Sequence, residues 1–374
     1  MNILLAPASF KGSLSALGVA NVIREAIRAV DPAATCTVLP QADGGEGTID
    51  ALSAPTGAAV EFVEGVDLAG TQRDFPVLSL DQHSFLVEAA SCIGWVLQAG
   101  IQRDPDHLFS DGLAYLLRAV AARSRTLYCA LGGTATTDAG YGLARSLGAE
   151  MHFRDASPHT VTECLRSVQR IRWGDKPACK LIALVDVDNP LCGPEGAVMT
   201  YGPQKGVPEN RAVEFDAAVR HFASIVRRDV LNVDPYAAGM GAAGGLGFAL
   251  AAFCGASLQS GADFVRERSG FNQRIENVDV IVTGEGRFDA QSHRGKVIHG
   301  IVRSAAKRGL PVIAFTGSIE GEADAVARKA GLSAVVPVSP PGLRLEEAMN
   351  NAERLLYDAV YLNWSRLREV IRTR

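Results

Sequence analysis

The sequence predicts an α/β protein of two unlike domains, and three observations carry that prediction. Short apolar segments alternate with helical segments at both ends of the chain, which is typical of parallel sheets. The middle of the chain shows strand signals of mixed polarity instead. The length of 374 residues also exceeds a typical single core. We expect one domain from residues 1–58 plus 268–374, an inserted α/β domain from 59–267, and a cleft between them.

The first domain begins with a βαβ pattern. The apolar segment ILLAP (3–7) predicts a strand, and Ser13 or Ser15 can cap the helix that follows. A second strand is predicted at CTVLP (36–40), with a short helix from Thr48. The first helix places its apolar residues at helical spacing, at Val19, Ile23, Ile27 and Val30.

The last hundred residues show the same alternation of apolar strand segments and helical segments. Strands are predicted at 279–283, 311–317 and 334–338, and the first of them should end in a turn with two glycines. Helices are predicted at 296–308, at 320–330 and from about Leu345. Two strands from the start and three from the end make a five-stranded, flavodoxin-like parallel sheet.

The inserted segment predicts an α+β arrangement. Antiparallel strands are expected first, then a helix at 112–123, two further strands and a helix at about 209–228, before a glycine-rich stretch closes the domain. The strand segments are, in order, VEFVEGVDL, RDFPVLSL, FLVEAAS, TLYCALG and KLIALVDV.

Bulk composition argues against several classes of protein. A net charge of −4 disfavours a general nucleic-acid binder, which needs a basic face. No apolar run approaches the ~20 residues of a membrane helix, and the start of the chain lacks the basic region of a signal peptide. Seven scattered cysteines without a CxxC pair indicate reduced thiols rather than disulfides or a zinc site. We therefore expect a cytoplasmic protein without nucleic-acid or membrane partners.

Four loops combine glycines with acidic residues directly after predicted strands. They are QADGGEGT (41–48), ALGGTATTDAG (130–140), DVDNPLCGPEG (186–196) and the segment 279–296. In parallel α/β sheets, ligands bind at the carboxyl ends of the strands. Backbone amides and hydroxyls at such ends can bind anions, although a tight turn explains the 130–140 loop equally well. The four loops together predict an enzyme acting on a charged small molecule, with phosphate involved.

The dinucleotide-binding pattern G-x-G-x-x-G occurs once in the sequence, at Gly239, Gly241 and Gly244. A turn precedes it where the motif requires a strand, so a nicotinamide site is disfavoured. Close packing of glycines at a helix start and a phosphate contact both remain open. The chain also has no G-x-x-x-x-G-K-[ST] loop.

The charged residues of these loops point to kinase chemistry. Phosphoryl transfer needs carboxylates for Mg²⁺ and for the hydroxyl proton, and cations for the moving phosphoryl group. Acids follow two strands, as Asp186 with Asp188 and as Asp43 with Glu46. The available cations are Lys11, Lys205, Arg287 and Lys296.

Seven motifs, in order, resemble the bacterial glycerate kinase type I family. They are APASFKGSLSA, PQADGGEGTIDAL, ALGGTATTDAGYG, DVDNPLCGPEGA, YGPQKG, GAAGGLGFAL and VTGEGRFDAQSHRGK. The resemblance implies ATP- and Mg²⁺-dependent phosphorylation of D-glycerate, most often at the 2-hydroxyl. It thus implies a small hydroxy acid and a nucleotide as ligands, and it leaves a homodimer open.

The resemblance also implies roles for individual residues. By charge, Asp186 would be base or metal ligand, while Lys11 and Arg287 would face the substrate carboxylate or the transferred phosphoryl group. Asp43 would be a second metal ligand. The substrate-binding set is Ser9, Phe10, Ser13, Asp43, Lys205 and Asp289. The cofactor-binding set is Gly132, Gly133, Thr134, Thr136, Asp138, Asn189, Glu285 and Lys296. Gly44, Gly45 and Glu46 would lie beside the first loop.

Three loops depart from the family pattern. Ala8 stands where the family has aspartate, residues 109–115 replace a Thr-Ser-Tyr-Gly-x-Gly-Glu run, and Thr137 and Ala139 replace asparagine and glycine. Two alternatives to a glycerate kinase therefore stay open: a kinase for a related, larger hydroxy acid, and a non-catalytic ligand-binding homologue.

Overall fold

The chain divides into two compact units. The computed structural model describes residues 1–95, 104–154, 158–174, 176–288, 297–319 and 321–372. Unit 1 comprises Met1–Asp43, Asp50–Gly57 and Ala262–Arg374, and unit 2 comprises Gly44–Ile49 and Ala58–Gly261. The domain limits at 59 and 267 inferred from the sequence remain a proposal.

Strands and helices alternate along most of the chain. The strands are β1 (Asn2–Leu5), β2 (Thr35–Val38), β3 (Ala59–Val66), β4 (Gln72–Asp81), β5 (Ser84–Glu88), β6 (Thr126–Ala130), β7 (Glu150–Phe153), β8 (Val168–Arg172), β9 (Lys180–Val185), β10 (Ser257–Ser260), β11 (Val280–Phe288), β12 (Val312–Ile319) and β13 (Ala334–Pro337). The helices are α1 (Ala16–Val30), α2 (Thr48–Thr56), α3 (Ala89–Ile93), α4 (Asp111–Ala121), α5 (Tyr141–Leu147), α6 (Val161–Ser167), α7 (Ala197–Tyr201), α8 (Ala212–Asp229), α9 (Ala242–Cys254), α10 (Gly261–Arg268), α11 (Phe271–Arg274), α12 (Val297–Ala306), α13 (Ala323–Ala330), α14 (Leu345–Asn350) and α15 (Ala352–Arg372).

Unit 1 contains the predicted five-stranded parallel sheet. Its order is β13-β12-β11-β1-β2, and every neighbouring pair is parallel. Both chain ends contribute, since β1 pairs with β11 through Ile3 and Val280. The flavodoxin-like order predicted from the sequence is confirmed.

The sheet of unit 1 buries both faces, as parallel sheets do. Alternate residues of a strand point to opposite sides, so Ile3 and Leu5 enter one core, with α1 and α15, while Leu4 enters the other. The second core contains residues of α12 and α13, including Ile298. Continuous apolar runs in the sequence therefore correspond to strands covered on two sides.

Helix α1 begins at a side-chain cap. The Ser15 hydroxyl accepts a hydrogen bond from the Gly18 amide at 3.1 Å, which satisfies one of the unpaired donors at a helix start. Ser15 rather than Ser13 is therefore the cap. The long helix predicted from Leu345 is instead two helices, because α14 ends at Asn350 before α15 begins.

The turn predicted after Thr283 is wrong, because β11 continues to Phe288. Its partner β12 runs beside it, with Glu285 opposite Thr316 and Arg287 opposite Ser318. A Cβ on Gly284 would lie 2.5 Å from the Phe315 carbonyl oxygen. The glycine thus permits close approach of two strands, and does not make a turn.

Unit 2 is built on a mixed six-stranded sheet in the order β10-β9-β6-β5-β4-β3. The predicted antiparallel strands are confirmed for β3, β4 and β5, whereas β5, β6, β9 and β10 run parallel. The antiparallel pair β7–β8 and the strand β10 had no counterpart in the prediction. In the part of the chain that the structure describes, no helix is long and apolar enough to cross a membrane.

Candidate active site

The parallel strands of unit 2 bring four polar segments to one edge of the sheet. Glu88 ends β5, the loop from Gly132 follows β6, Asp186 follows β9, and Gly261 follows β10. Neighbouring strands are paired in register up to these ends, with Glu88 opposite Ala130 and Leu184 opposite Gln259. This edge is where a ligand is expected in such a sheet.

Asp186 is held in one orientation at this edge. Its Oδ1 accepts hydrogen bonds from the Ser260 hydroxyl at 2.9 Å and from the Gly261 amide at 2.8 Å. The side chain is half-buried, and Asp188 follows two residues later on the exposed surface. An oriented carboxylate can bind a divalent cation or accept a proton from a hydroxyl.

The loop after β6 lies against the segment that begins at Gly44. The Gly132 amide donates to the Gly44 carbonyl at 3.4 Å. Gly133 has a positive φ of 89° and sits next to Glu46, whose Cβ would be 3.3 Å from a Cβ on residue 133. Glycine is needed here for the left-handed backbone. Two of the predicted glycine-rich loops therefore meet within unit 2.

A buried lysine, Lys205, also binds the loop that follows β6. Lys205 ends a short 3-10 helix, Pro203–Lys205, and its Nζ donates to the Thr134 hydroxyl at 3.3 Å and the Thr136 carbonyl at 2.8 Å. The residue is 4% exposed. Burial lowers the pKa of Lys205 to about 7, with a small opposing effect from the Asp138 carboxylate. Strongly shifted groups of this kind concentrate at functional sites.

Asp138 anchors the end of the loop. Its carboxylate accepts hydrogen bonds from the Ser110 amide and hydroxyl, at 2.9 and 2.8 Å, and from the Gly140 and Gly142 amides, at 3.0 and 2.9 Å. Burial raises the pKa of Asp138, and these hydrogen bonds oppose the rise. Asp138 thus joins the loop to the start of α4. The sequence predicted Asp138 as a cofactor-binding residue and did not predict this structural role.

The glycines at 239–247 pack the start of α9 against this loop. The Ala139 amide donates to the Gly244 carbonyl at 3.0 Å, and a Cβ on Gly244 would lie 2.1 Å from the Thr136 carbonyl oxygen. Gly241 is equally close to the Pro190 carbonyl oxygen, at 2.2 Å. Of the two interpretations left open by the sequence, these contacts support close packing.

Asn189 connects the 186–196 loop to α7. Its Nδ2 donates to the Glu195 carbonyl at 2.8 Å and to the Thr200 hydroxyl at 3.3 Å, and its Oδ1 accepts from the Tyr201 hydroxyl at 2.6 Å. These contacts fix the loop that follows Asp186.

In unit 1, Lys11 and Asp43 form an ion pair. The Lys11 Nζ lies 2.8 Å from Asp43 Oδ2, and the two side chains are 70% and 33% exposed. An exposed pair of this kind adds only about 0.2–1 kcal/mol to stability. Ser13 closes the turn that contains Lys11, since its hydroxyl donates to the Phe10 carbonyl at 2.9 Å. Ser9 lies half-buried beside Phe10.

The extended β11 carries the other predicted residues of unit 1. Glu285 is half-buried and Arg287 is exposed. Phe10 packs on the two glycines of this segment, with its Cε1 3.5 Å from a Cβ position on Gly284 and its Cα 3.4 Å from one on Gly286. Asp289 and Lys296 lie outside the described residues.

A divalent cation has no ready-made cage in the described part of the chain, where no three His, Cys, Asp or Glu side chains gather. Mg²⁺ is usually bound through one or two carboxylates plus phosphate oxygens and waters. The carboxylate of Asp186 is the kind of ligand that such a site uses.

The structure adds three residues that the sequence reading missed. Glu88 is buried, and its Oε1 accepts from the Ile49 amide at 2.6 Å. Ser260 orients Asp186, and Ser110 binds Asp138. A charged residue at the end of the apolar run SFLV was a readable signal for Glu88, whereas the two serines are visible only through their contacts.

The residues that depart from the family pattern have identifiable environments. The Ala8 amide donates to the Gly284 carbonyl at 2.8 Å. Ala139 has a positive φ of 51°, a conformation that costs a residue with a Cβ about 1–2 kcal/mol. The Thr137 hydroxyl is buried and has no hydrogen-bond partner among the described residues. Asp111 pairs with Arg145 at 2.8 Å.

Comparison with known proteins gives a consistent result. The profile of the glycerate kinase family matches residues 3–364. The chain is 36% identical to the glycerate 2-kinase of Escherichia coli (strain K12) over 363 residues and 34% identical to the glycerate kinase of Bacillus subtilis (strain 168) over 361 residues, with 94% of each chain covered in both cases. A crystal structure described as that of glycerate kinase 2 from Salmonella typhimurium LT2 superimposes with a TM-score of 0.75 at 34% identity, covering 99% of this chain and 98% of the other. The chain belongs to the glycerate kinase family.

Proposed function

We propose that the protein transfers the γ-phosphoryl group of ATP to the 2-hydroxyl of D-glycerate. Family membership gives the reaction class, and one structural observation carries the proposal to this chain. Asp186 is oriented at the strand-end edge of unit 2, on the same edge as a glycine loop fastened by the buried Lys205. Phosphoryl transfer depends on positioning and charge stabilisation, which such an edge provides.

The proposed step moves one phosphoryl group and one proton. The 2-hydroxyl oxygen of glycerate bonds to the γ-phosphorus while the bond to the β-phosphate oxygen breaks, so ADP leaves. Asp186 accepts the hydroxyl proton, because Ser260 and Gly261 bind its Oδ1 and so hold the carboxylate in one orientation. Lys11 and Arg287 are proposed to neutralise the substrate carboxylate or the moving phosphoryl group.

Mg²⁺ belongs to the proposal as the ion that neutralises charge on the nucleotide phosphates. Asp186 is the residue of unit 2 that would hold it, as the alternative to its role as the base. Asp43, the second predicted ligand, pairs with Lys11 in unit 1, and its role as a ligand remains a prediction.

The 132–138 loop is proposed to bind nucleotide phosphate. Gly133 adopts a positive φ, and the Thr134 and Thr136 contacts to Lys205 fix the loop's course. Backbone amides held in such a loop can face an anion. Lys205 then acts by positioning the loop, and its positive charge contributes fully only below its pKa of about 7.

A related, larger hydroxy acid is the second candidate substrate. The observation that favours it is the set of altered residues, of which Ala8 lacks the carboxylate that the family places there. Loss of a charged hydrogen-bonding group changes binding by about 1–3 kcal/mol, which is enough to change substrate preference.

The test is release of ADP by the purified protein with ATP and Mg²⁺, against D-glycerate and a panel of larger 2-hydroxy acids. Turnover of glycerate at roughly 1–100 s⁻¹ is expected. Faster turnover of a larger acid would favour the second candidate, and ligand binding without turnover on any acid would overturn the kinase proposal.

The compartment and assembly state are also proposals. All seven cysteines are free thiols, which supports a reducing compartment such as the cytoplasm. We also propose that the protein is a homodimer. Analytical ultracentrifugation tests this, and a monomer would contradict it.

A further inference from the structure

Unit 1 contains a basic pocket that the proposed reaction does not use. Its volume is about 650 Å³, within the range of small-molecule sites. It is lined by Arg266, Asn272, Arg303, Ser304, Lys307 and Arg308. We call this set the basic pocket.

The basic pocket has an excess of positive charge. Asp263 pairs with Arg266 at 2.6 Å and with Arg303 at 3.1 Å, and Glu276 pairs with Arg308 at 3.2 Å. Lys307 is exposed and makes no ion pair within the described ranges. Four cations against two carboxylates leave a formal charge of +2, in a chain whose net charge is −4.

One arginine of the basic pocket is fitted into the fold. The Arg266 side chain is only 11% exposed and crosses α12 at Gly300, where a Cβ would lie 2.1 Å from its Nη1. Glycine at 300 therefore makes room for the guanidinium. Arg266 lies in the last turn of α10, where a cation interacts favourably with the helix dipole, and its side chain extends from there to α12.

The basic pocket lies at the opposite edge of the unit 1 sheet from Glu285 and Arg287. Helix α12 connects the parallel strands β11 and β12, so it runs back along the sheet. Lys307 and Arg308 follow its last turn, just before β12 begins at Val312. A ligand here would be separate from the strand ends to which we assign the chemistry.

We propose that the basic pocket binds a small metabolite carrying phosphate groups. Three arginines favour phosphate or carboxylate oxygens, because the guanidinium fork matches both. Asn272 and Ser304 add neutral hydrogen-bonding groups, and the volume suits a small molecule. A net charge of +2 matches a phosphate group, which carries about two negative charges at neutral pH. The inference does not depend on the proposed function.

The test uses pyrophosphate as probe and isothermal titration of the full chain. Lys307→Glu reverses one charge of the basic pocket. Lys329→Glu is the matched control, because Lys329 is also exposed and lies in the last turn of a unit 1 helix, α13. Tricarballylate, which carries carboxylates alone, separates phosphate recognition from general anion binding.

Lys307→Glu should weaken pyrophosphate binding by about tenfold or more, while Lys329→Glu should change it by less than about twofold and both variants should keep the turnover of the unmodified protein. Absence of saturable binding, or an equal loss in both variants, would overturn the proposal. Tighter binding of tricarballylate than of pyrophosphate, with the same dependence on Lys307, would overturn the assignment to phosphate.

Discussion

Single residues set the chemistry of the candidate site, and Lys205 is the clearest case. The sequence singled out Lys205 as one cation among several in the glycine-rich motifs. Its burial and its two hydrogen bonds to the 134–136 backbone and hydroxyl could not be read from the sequence, since lysine is seldom buried. Asp186 was predicted from its place after a strand, but its orientation by Ser260 depends on a contact 74 residues away in sequence.

Lys205 should make stability depend on pH. Its pKa is about 7 in the folded chain and about 10.4 in an unfolded one, so between these values the unfolded state binds more protons. The free energy of unfolding should therefore rise with pH over this range, by up to about 1.4 kcal/mol per pH unit. Lys205→Met should remove that contribution.

Urea unfolding of the wild-type chain and of Lys205→Met at about pH 7 and pH 9 measures the difference. Lys329→Met, at an exposed position, should keep the wild-type dependence on pH. Equal slopes for wild type and Lys205→Met would show that the buried amine does not titrate here.

Asp186→Asn should leave the fold intact and remove the proposed base. An asparagine oxygen can still accept the hydrogen bonds from Ser260 and Gly261, so the loop should keep its place. Loss of general-base catalysis typically lowers kcat by roughly 10²–10⁴-fold. Steady-state kinetics should show that fall, with a smaller one for Ser260→Ala, which only loosens the carboxylate. A variant with kcat near the wild-type value would assign the proton to another group.

At the scale of secondary structure, the prediction failed at short polar strands and at strands that contain glycine. The strands β1, β11 and β12 of unit 1 were predictable because each contains a continuous apolar run that is buried in the structure, whereas the edge strands β2 and β13 are less buried. Strand β10, with the sequence SLQS, and the antiparallel pair β7–β8 are short and largely polar, so they gave no strong signal. Glycines in β11 suggested a turn, yet Gly284 and Gly317 allow β11 and β12 to stay paired at close range.

Gly244→Ala should disrupt the packing of α9 on the 132–140 loop. Gly244 has a φ of +70° and leaves no room for a Cβ beside Thr136. Left-handed strain costs about 1–2 kcal/mol, and overpacking adds about 1–3 kcal/mol.

Gly70→Ala is the matched control in unit 2, because Gly70 has a φ of +79° and no neighbour within 4 Å of its Cβ position. Thermal unfolding should show a larger loss for Gly244→Ala, accompanied by a fall in kcat that Gly70→Ala does not share. Equal losses would mean that the backbone conformation alone explains both glycines.

At the scale of the whole molecule, the sequence was sufficient for the fold class and for the family. Seven ordered motifs indicated the family, and the five-stranded parallel sheet and the mixed sheet of unit 2 agree with the predicted α/β classes. The roles of individual residues were harder to predict, because spacing does not show which groups meet. The placing of Asp138 and Asn189 with the nucleotide stays a prediction, and the contacts in the structure show that both side chains hold loops together.

The altered loops bear on substrate choice for the whole enzyme. Ala139 keeps a left-handed conformation suited to glycine, and Ser110 fastens that same loop through Asp138. These contacts give the altered loop a defined course in this chain.

The most direct test is the identity of the product formed from ATP, Mg²⁺ and D-glycerate, followed by phosphorus NMR with the wild-type chain and with Asp186→Asn. We expect 2-phosphoglycerate from the wild type and little or none from the variant over the same time. Formation of 3-phosphoglycerate, or of no phosphorylated acid from glycerate by the wild-type chain, would contradict it.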